Sequence, residues 1–173
     1  MSNIDVRNAI ERAKLVFAER PAAARKANAS ATALLIGGLR CEITGPGGEH
    51  ATTDMPEPMG GAASGPNPGW FLRASMASCA ATAIAMRAAV LGIAIDRLEV
   101  CVHSESDARG LLGMGEISPA LSNMRMEVKI GAKGATVQQL EELVEWAEAH
   151  SPVSCTLRNS PPQIAIEVQV IAS

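Results

Sequence analysis

The sequence predicts a single α+β domain built around one apolar helix. Three observations predict it. Residues 68–91 are apolar or small apart from Arg73 and Arg87, and a helix apolar on every side is a buried helix. The segments flanking that run alternate apolar and polar residues, the period of half-buried strands. The resulting order, ββ–α–ββ–α–β behind an N-terminal helical arm, suits an α+β fold better than a doubly wound sheet. At 173 residues the chain is long enough for one domain with a core of its own.

Taken in order, residues 4–27 are rich in Ala, Arg, Lys and Glu, with Ile4, Ile10, Leu15 and Phe17 as their apolar content. Pro21 ends or breaks the first helix, because an interior proline removes a hydrogen bond and clashes with the preceding turn. Residues 1–32 are thus expected to form an arm, and 33–173 the main domain. Ala33–Ile43 and Glu49–Met55 are expected to be strands joined in a hairpin by Gly45-Pro46-Gly47-Gly48. A loop rich in Gly and Pro, 56–66, leads to Asn67-Pro68. Asn is a favoured N-cap and Pro a favoured first helical residue, and Gly92 is placed to stop the helix. Leu98, Val100 and Val102 alternate with Glu99, Cys101 and His103; Met124, Met126, Val128 and Ile130 alternate with Arg125, Glu127 and Lys129. Both are strand patterns, separated by a long loop from Ser104 to Pro119. Thr136 and Gln139 form a capping-box pattern ahead of a helix with Leu140, Leu143, Val144 and Ala147 on one face, ending near His150. After Ser151-Pro152, Gln163–Ile171 alternates again and is expected to be the last strand.

Composition removes several classes of function. Two Trp, two Phe and no Tyr offer few stacking platforms for single-stranded nucleic acid, and a net charge of −3 does not suit a phosphate backbone. The stretch between Arg73 and Arg87 is shorter than the ~20 residues a membrane span needs. The histidines at 50, 103 and 150 lack metal-ligand spacing, so neither metal nor cofactor is expected. The Gly/Pro loop at 56–66 has no following Lys-Ser or Lys-Thr and is not a phosphate cradle. No apolar leader occupies the N-terminus, so the expected compartment is the cytoplasm, where structural disulfides are rare. The four cysteines, 41, 79, 101 and 155, are read as reduced.

Several segments together resemble the OsmC/Ohr family: Met59-Gly60-Gly61, Gly65-Pro66-Asn67-Pro68, Ala77-Ser78-Cys79 on the apolar helix, the run Asp107–Gly113, and Ser151-Pro152-Val153-Ser154-Cys155-Thr156-Leu157. The resemblance extends from about Ala33 to Val170. It implies an OsmC-like fold, an intertwined homodimer with two active sites at its interface, and reduction of organic hydroperoxides by a cysteine on the central helix. That position is Cys79. A thiolate there would attack the O–O bond and become a sulfenic acid. A second cysteine would condense with it, and an external dithiol would restore the pair.

The chain departs from the pattern at two positions. The family's second cysteine falls on Ser151, with Cys155 four residues later, and the glutamate that follows the Asn-Pro falls on Gly69. The assisting arginine has no assigned position; Arg40 is the nearest candidate on a strand. Two readings of function follow. One is a thiol peroxidase acting through Cys79, its activity weakened by the departures. The other is a non-catalytic dimer that binds a small apolar molecule in its interface pocket. Cys79 read on composition alone is a small core residue. Cys155 is either a displaced resolving thiol or a bystander. Arg73 and Arg87 stand near one face of the helix, as neighbours of the thiol or as solvated or ion-paired ends. Cys41 and Cys101, in strand patterns, are read as structural. The methionines are read first as core and second as the lining of an apolar pocket.

Overall fold

In a computed structural model the chain is described over residues 2–158 and 164–169. The first helix, α1 (Asn3–Glu19), starts at a capping box in which Ser2 and Asp5 each satisfy the other's backbone N–H. It ends before Pro21, as expected. Its half-buried residues, Val6, Ile10, Ala13 and Val16, recur at helical spacing and form one face. The arm is no free appendage: α1 packs on the central helix.

Three short strands follow, β1 (Thr32–Gly37), β2 (Arg40–Thr44) and β3 (His50–Thr53). They form an antiparallel sheet in the order β1-β2-β3. The single strand expected over 33–43 is therefore two. The chain reverses at Gly38-Leu39, so that Gly37 pairs with Arg40. Gly38 takes φ +56, a left-handed conformation that glycine adopts without a Cβ clash. The hairpin expected at Gly45–Gly48 is present and joins β2 to β3.

The central helix, α2 (Pro68–Leu91), has the limits the sequence predicts. The Asn67 side chain accepts the Trp70 N–H at 2.9 Å. Gly92, at φ +74, closes the C-terminus by donating to the Ala88 and Ala89 carbonyls. Next come β4 (Ile95–Glu105), one helical turn α3 (Ala108–Leu111) inside the expected long loop, and β5 (Ser122–Ala132). The two long strands pair antiparallel with Leu98 opposite Ile130, Val100 opposite Val128 and Val102 opposite Met126. Their apolar faces therefore coincide. Helix α4 (Val137–His150) begins at the Thr136/Gln139 capping box. Helix α5 (Pro152–Arg158) follows at once.

The core lies where α2 and α4 cover the β4–β5 ribbon. Ile84, Ala88, Leu143 and Ala147 are buried there, against Leu98, Val100, Val128 and Ile130. Alanines on both helices at this contact let them approach closely.

Helix α2 is covered within the chain on part of its circumference only: Ser75, Ser78, Thr82, Ala85 and Met86 form an exposed face. One expectation needs correction. The last strand, expected over 163–171, extends beyond the described residues. Its described part, 164–169, is not a strand. Ile164, Ile166 and Val168 keep their alternation but are 78–83 % exposed. Among the described residues the order of helices and strands is therefore α–βββ–α–β–α–β–αα, still a mixed α+β arrangement.

Candidate functional site

The segment leading into α2 is held by one carboxylate. Asp54 is buried. It accepts the Ser64 hydroxyl at 2.7 Å, and the backbone N–H groups of Met55, Ser64 and Ala62 at 2.8, 3.1 and 3.2 Å. These donors, the Ser64 hydroxyl first, hold its carboxyl below the ordinary range. The close return of this loop explains the Gly60-Gly61 pair: a Cβ on Gly61 would stand 1.9 Å from the Met55 carbonyl oxygen. The loop thereby delivers Asn67 to its capping position and sets where α2 starts.

Cys79 lies midway along α2, half-buried. Its sulfur receives a hydrogen bond from the Ser151 hydroxyl at 3.2 Å, across 72 residues of sequence. Ser151 is fully buried at the junction of α4 and α5. Its oxygen also accepts the Ser154 N–H at 3.4 Å, as the N-cap of α5. A serine hydroxyl has a single proton. With the oxygen accepting from the backbone, that proton is directed to the sulfur.

The sulfur opens on a cavity of about 580 Å³ whose lining includes Cys79, Thr82, Met86, Trp146, His150 and Val153. Its walls are mostly apolar. The Trp146 and His150 rings stack with centroids 4.0 Å apart and planes 12° from parallel. The Arg87 guanidinium lies 4.7 Å from the centroid of the Trp146 ring, within cation–π range. His150 Nδ1 is 2.7 Å from the Trp146 carbonyl oxygen.

The structure thus brings together Cys79 and Ser151; Cys155 meets Ser151 through its backbone N–H, 2.9 Å from the Ser151 carbonyl oxygen, and not through its thiol. The Cys155 thiol donates to the Ala149 carbonyl at 3.2 Å, although α5 is helical and places it one turn from Ser151. Arg40 heads β2 in the three-stranded sheet, and no arginine lines the cavity. Among the described residues neither arginine of α2 forms an ion pair, and both are half-buried. Arg73 donates to the Ser104 hydroxyl at 3.1 Å, and Arg87 is given to Trp146. Cys41 is half-buried on β2 and Cys101 is exposed on β4. Met86 lines the cavity. Trp146 and His150 had no place in the sequence reading as site residues. Their four-residue spacing, which puts two flat rings on one helix face, was the available signal.

A family model described as "OsmC-like protein" matches residues 61–167. No curated protein matches the chain. Solved structures do. An OsmC-like protein from Mycoplasma pneumoniae is 18 % identical, covering 78 % of this chain and 89 % of its own, with a TM-score of 0.65. An organic hydroperoxide resistance protein OsmC from Legionella pneumophila is 21 % identical over 78 % and 91 % of the two chains, TM-score 0.59. The organic hydroperoxide resistance protein OhrB of Bacillus subtilis is 24 % identical over 76 % and 91 %, TM-score 0.52. At these identities the likeness is one of fold.

Proposed function

The chain belongs to the OsmC-like protein family, and from that premise we propose that it is a thiol-dependent peroxidase reducing organic hydroperoxides through Cys79. The observation that carries the reading is the Cys79 sulfur itself, at the mouth of an apolar cavity and facing a buried hydroxyl donor 3.2 Å away. A sulfur held by such a donor can act as the nucleophile in its thiolate form. The organic hydroperoxide resistance proteins of similar fold support the same direction.

The chemistry differs from a two-cysteine cycle. The thiolate attacks the terminal oxygen of the hydroperoxide; the S–O bond forms as the O–O bond breaks, and the departing alkoxide takes up a proton to leave as an alcohol. Cys79 is then a sulfenic acid. Ser151 cannot form a disulfide with it, and Cys155 is turned to Ala149. An external thiol therefore condenses with the sulfenic acid, releasing water and leaving a mixed disulfide. A second thiol, or the other arm of a dithiol, displaces it and restores Cys79.

The protein acts as a homodimer in the cytoplasm. The exposed face of α2 and the apolar residues Leu34, Leu35 and Ile36 of β1, 46–62 % exposed, are what a second copy would cover. Arg40, outside the Cys79 cavity of its own chain, would approach a thiol from that second copy. The second reading, a dimer that binds a small apolar molecule without turnover, is favoured by the absence, among the described residues, of an arginine of the same chain from the cavity lining. Hydroperoxide consumption with a dithiol reductant separates the two. The peroxidase reading expects turnover that Cys79→Ser abolishes. Binding of the hydroperoxide's alcohol without Cys79-dependent turnover would establish the second reading instead.

A further inference from the structure

The peroxidase reading leaves one requirement unassigned. When the O–O bond breaks, the departing oxygen is an alkoxide, a strong base that must gain a proton. We propose that His150 is the catalytic residue that supplies it. This rests on the peroxidase reading and adds the acid that the reaction needs.

The ring is placed for the task. His150 lines the same cavity as Cys79 and is bonded in sequence to Ser151, whose hydroxyl touches the reacting sulfur. The ring is held by two contacts. It stacks on Trp146 at 4.0 Å, and its Nδ1 is 2.7 Å from the Trp146 carbonyl oxygen. A carbonyl oxygen only accepts, so Nδ1 carries a proton and donates it there. His150 is exposed and its Nε2 has no hydrogen-bond partner among the described residues, so Nε2 is open to solvent and to an occupant of the cavity that the ring lines. The other polar side chains in the lining, Ser75, Ser78 and Thr82, are hydroxyls and far weaker acids than an imidazolium. Histidine is the side chain most often found as a general acid.

The step balances. The Cys79 thiolate gives an electron pair to the terminal hydroperoxide oxygen, and the O–O bonding pair leaves on the inner oxygen. The Nε2–H of the His150 imidazolium passes its proton to that oxygen, giving the alcohol. Sulfur is oxidised to sulfenic acid, the hydroperoxide is reduced, and solvent reprotonates Nε2.

The test uses two oxidants that differ in what departs. tert-Butyl hydroperoxide releases an alkoxide that needs a proton; peracetic acid releases acetate, which does not. Single-turnover loss of the Cys79 thiol is read by iodoacetamide quench and peptide mass spectrometry, for wild type, His150→Gln and His150→Phe, the last keeping a flat ring on Trp146. Both variants are expected to slow oxidation by tert-butyl hydroperoxide about 100-fold while leaving oxidation by peracetic acid within about twofold. Equal slowing with both oxidants, or none with either, would overturn the inference and leave the peroxidase reading standing. If tert-butyl hydroperoxide does not oxidise wild-type Cys79 at all, the peroxidase reading falls and the inference goes with it.

Discussion

Arg73 reaches back along α2 to the residue four before it: a Cβ built on Gly69 would stand 3.7 Å from its Nη1. The position where the family pattern has a glutamate is therefore vacant beside an arginine, and Arg73 bonds Ser104 instead. The other neighbours of that Cβ are no closer than 3.4 Å, so a side chain fits. Gly69→Glu is expected to fold and to stabilise the protein by about 0.5–1 kcal/mol, from helix propensity and the i,i+4 pair. Arg73 lies six residues from Cys79, about 9 Å along the helix axis, and does not line the cavity. The hydroperoxide rate is therefore expected to stay unchanged. Thermal unfolding and a turnover assay check both halves; a severalfold faster rate would show that Arg73 reaches the thiol.

Ser151→Cys restores a second thiol where the hydroxyl now meets Cys79. Stoichiometric hydroperoxide is expected to convert this variant to an intramolecular 79–151 disulfide. The wild type is expected to stop at sulfenic acid and, under excess oxidant, to proceed to sulfinic acid. Peptide mass spectrometry distinguishes the products, and a 79–155 disulfide in wild type would contradict the placement of Cys155.

Ser151→Ala removes both partners of one hydroxyl. Loss of the α5 cap is expected to cost about 1 kcal/mol. Loss of the donor to sulfur is expected to slow iodoacetamide alkylation of Cys79 at neutral pH. An unchanged alkylation rate would mean that the hydroxyl caps the helix and does no more.

Asp54 predicts an acid limb in the stability profile. Its folded carboxyl is held low, chiefly by the Ser64 hydroxyl. Such a group contributes stability that is fully present above its unfolded value, about 3.9, and is lost as pH falls through the folded value. Asp54→Asn is expected to be less stable than wild type at pH 7, with the gap closing as pH drops below about 4. Denaturant midpoints at a series of pH values read this directly; a gap that stays constant would sink the assignment.

The uncovered faces predict self-association. Sedimentation at micromolar concentration is expected to show twice the 18.0 kDa chain mass, and Leu35→Asp is expected to shift the population towards monomer. A clean monomer for the wild type would contradict the dimer.

Much of the frame was legible because its signals are local. Asn67-Pro68 and Gly92 mark both ends of α2, and Thr136 with Gln139 marks the start of α4; each acts through a hydrogen bond to its own turn. The β1–β2 reversal was not legible, because Leu34, Leu35, Ile36 and Leu39 read as one apolar run across Gly37-Gly38. The alternation at 164–168 was legible, but whether a strand forms depends on a partner that sequence does not name. Cys79 could be picked out from its segment. Ser151 looked like a gap in a motif, and only folding across 72 residues shows its hydroxyl on the sulfur. The Trp146–His150 stack is a side-chain geometry, and composition is silent about it.

The serine at 151 also decides how oxidation and folding are coupled. A disulfide between 79 and 151 would close a loop of about 70 residues, and the chain-entropy estimate for that loop is about 4 kcal/mol of added stability. A two-cysteine protein of this shape would be tougher when oxidised and softer when reduced, so its melting temperature would report the redox state around it. In this chain the oxidised sulfur adds no cross-link to the unfolded ensemble. Under the proposed chemistry, oxidation of Cys79 would therefore leave the loop-closure entropy of the unfolded chain unchanged.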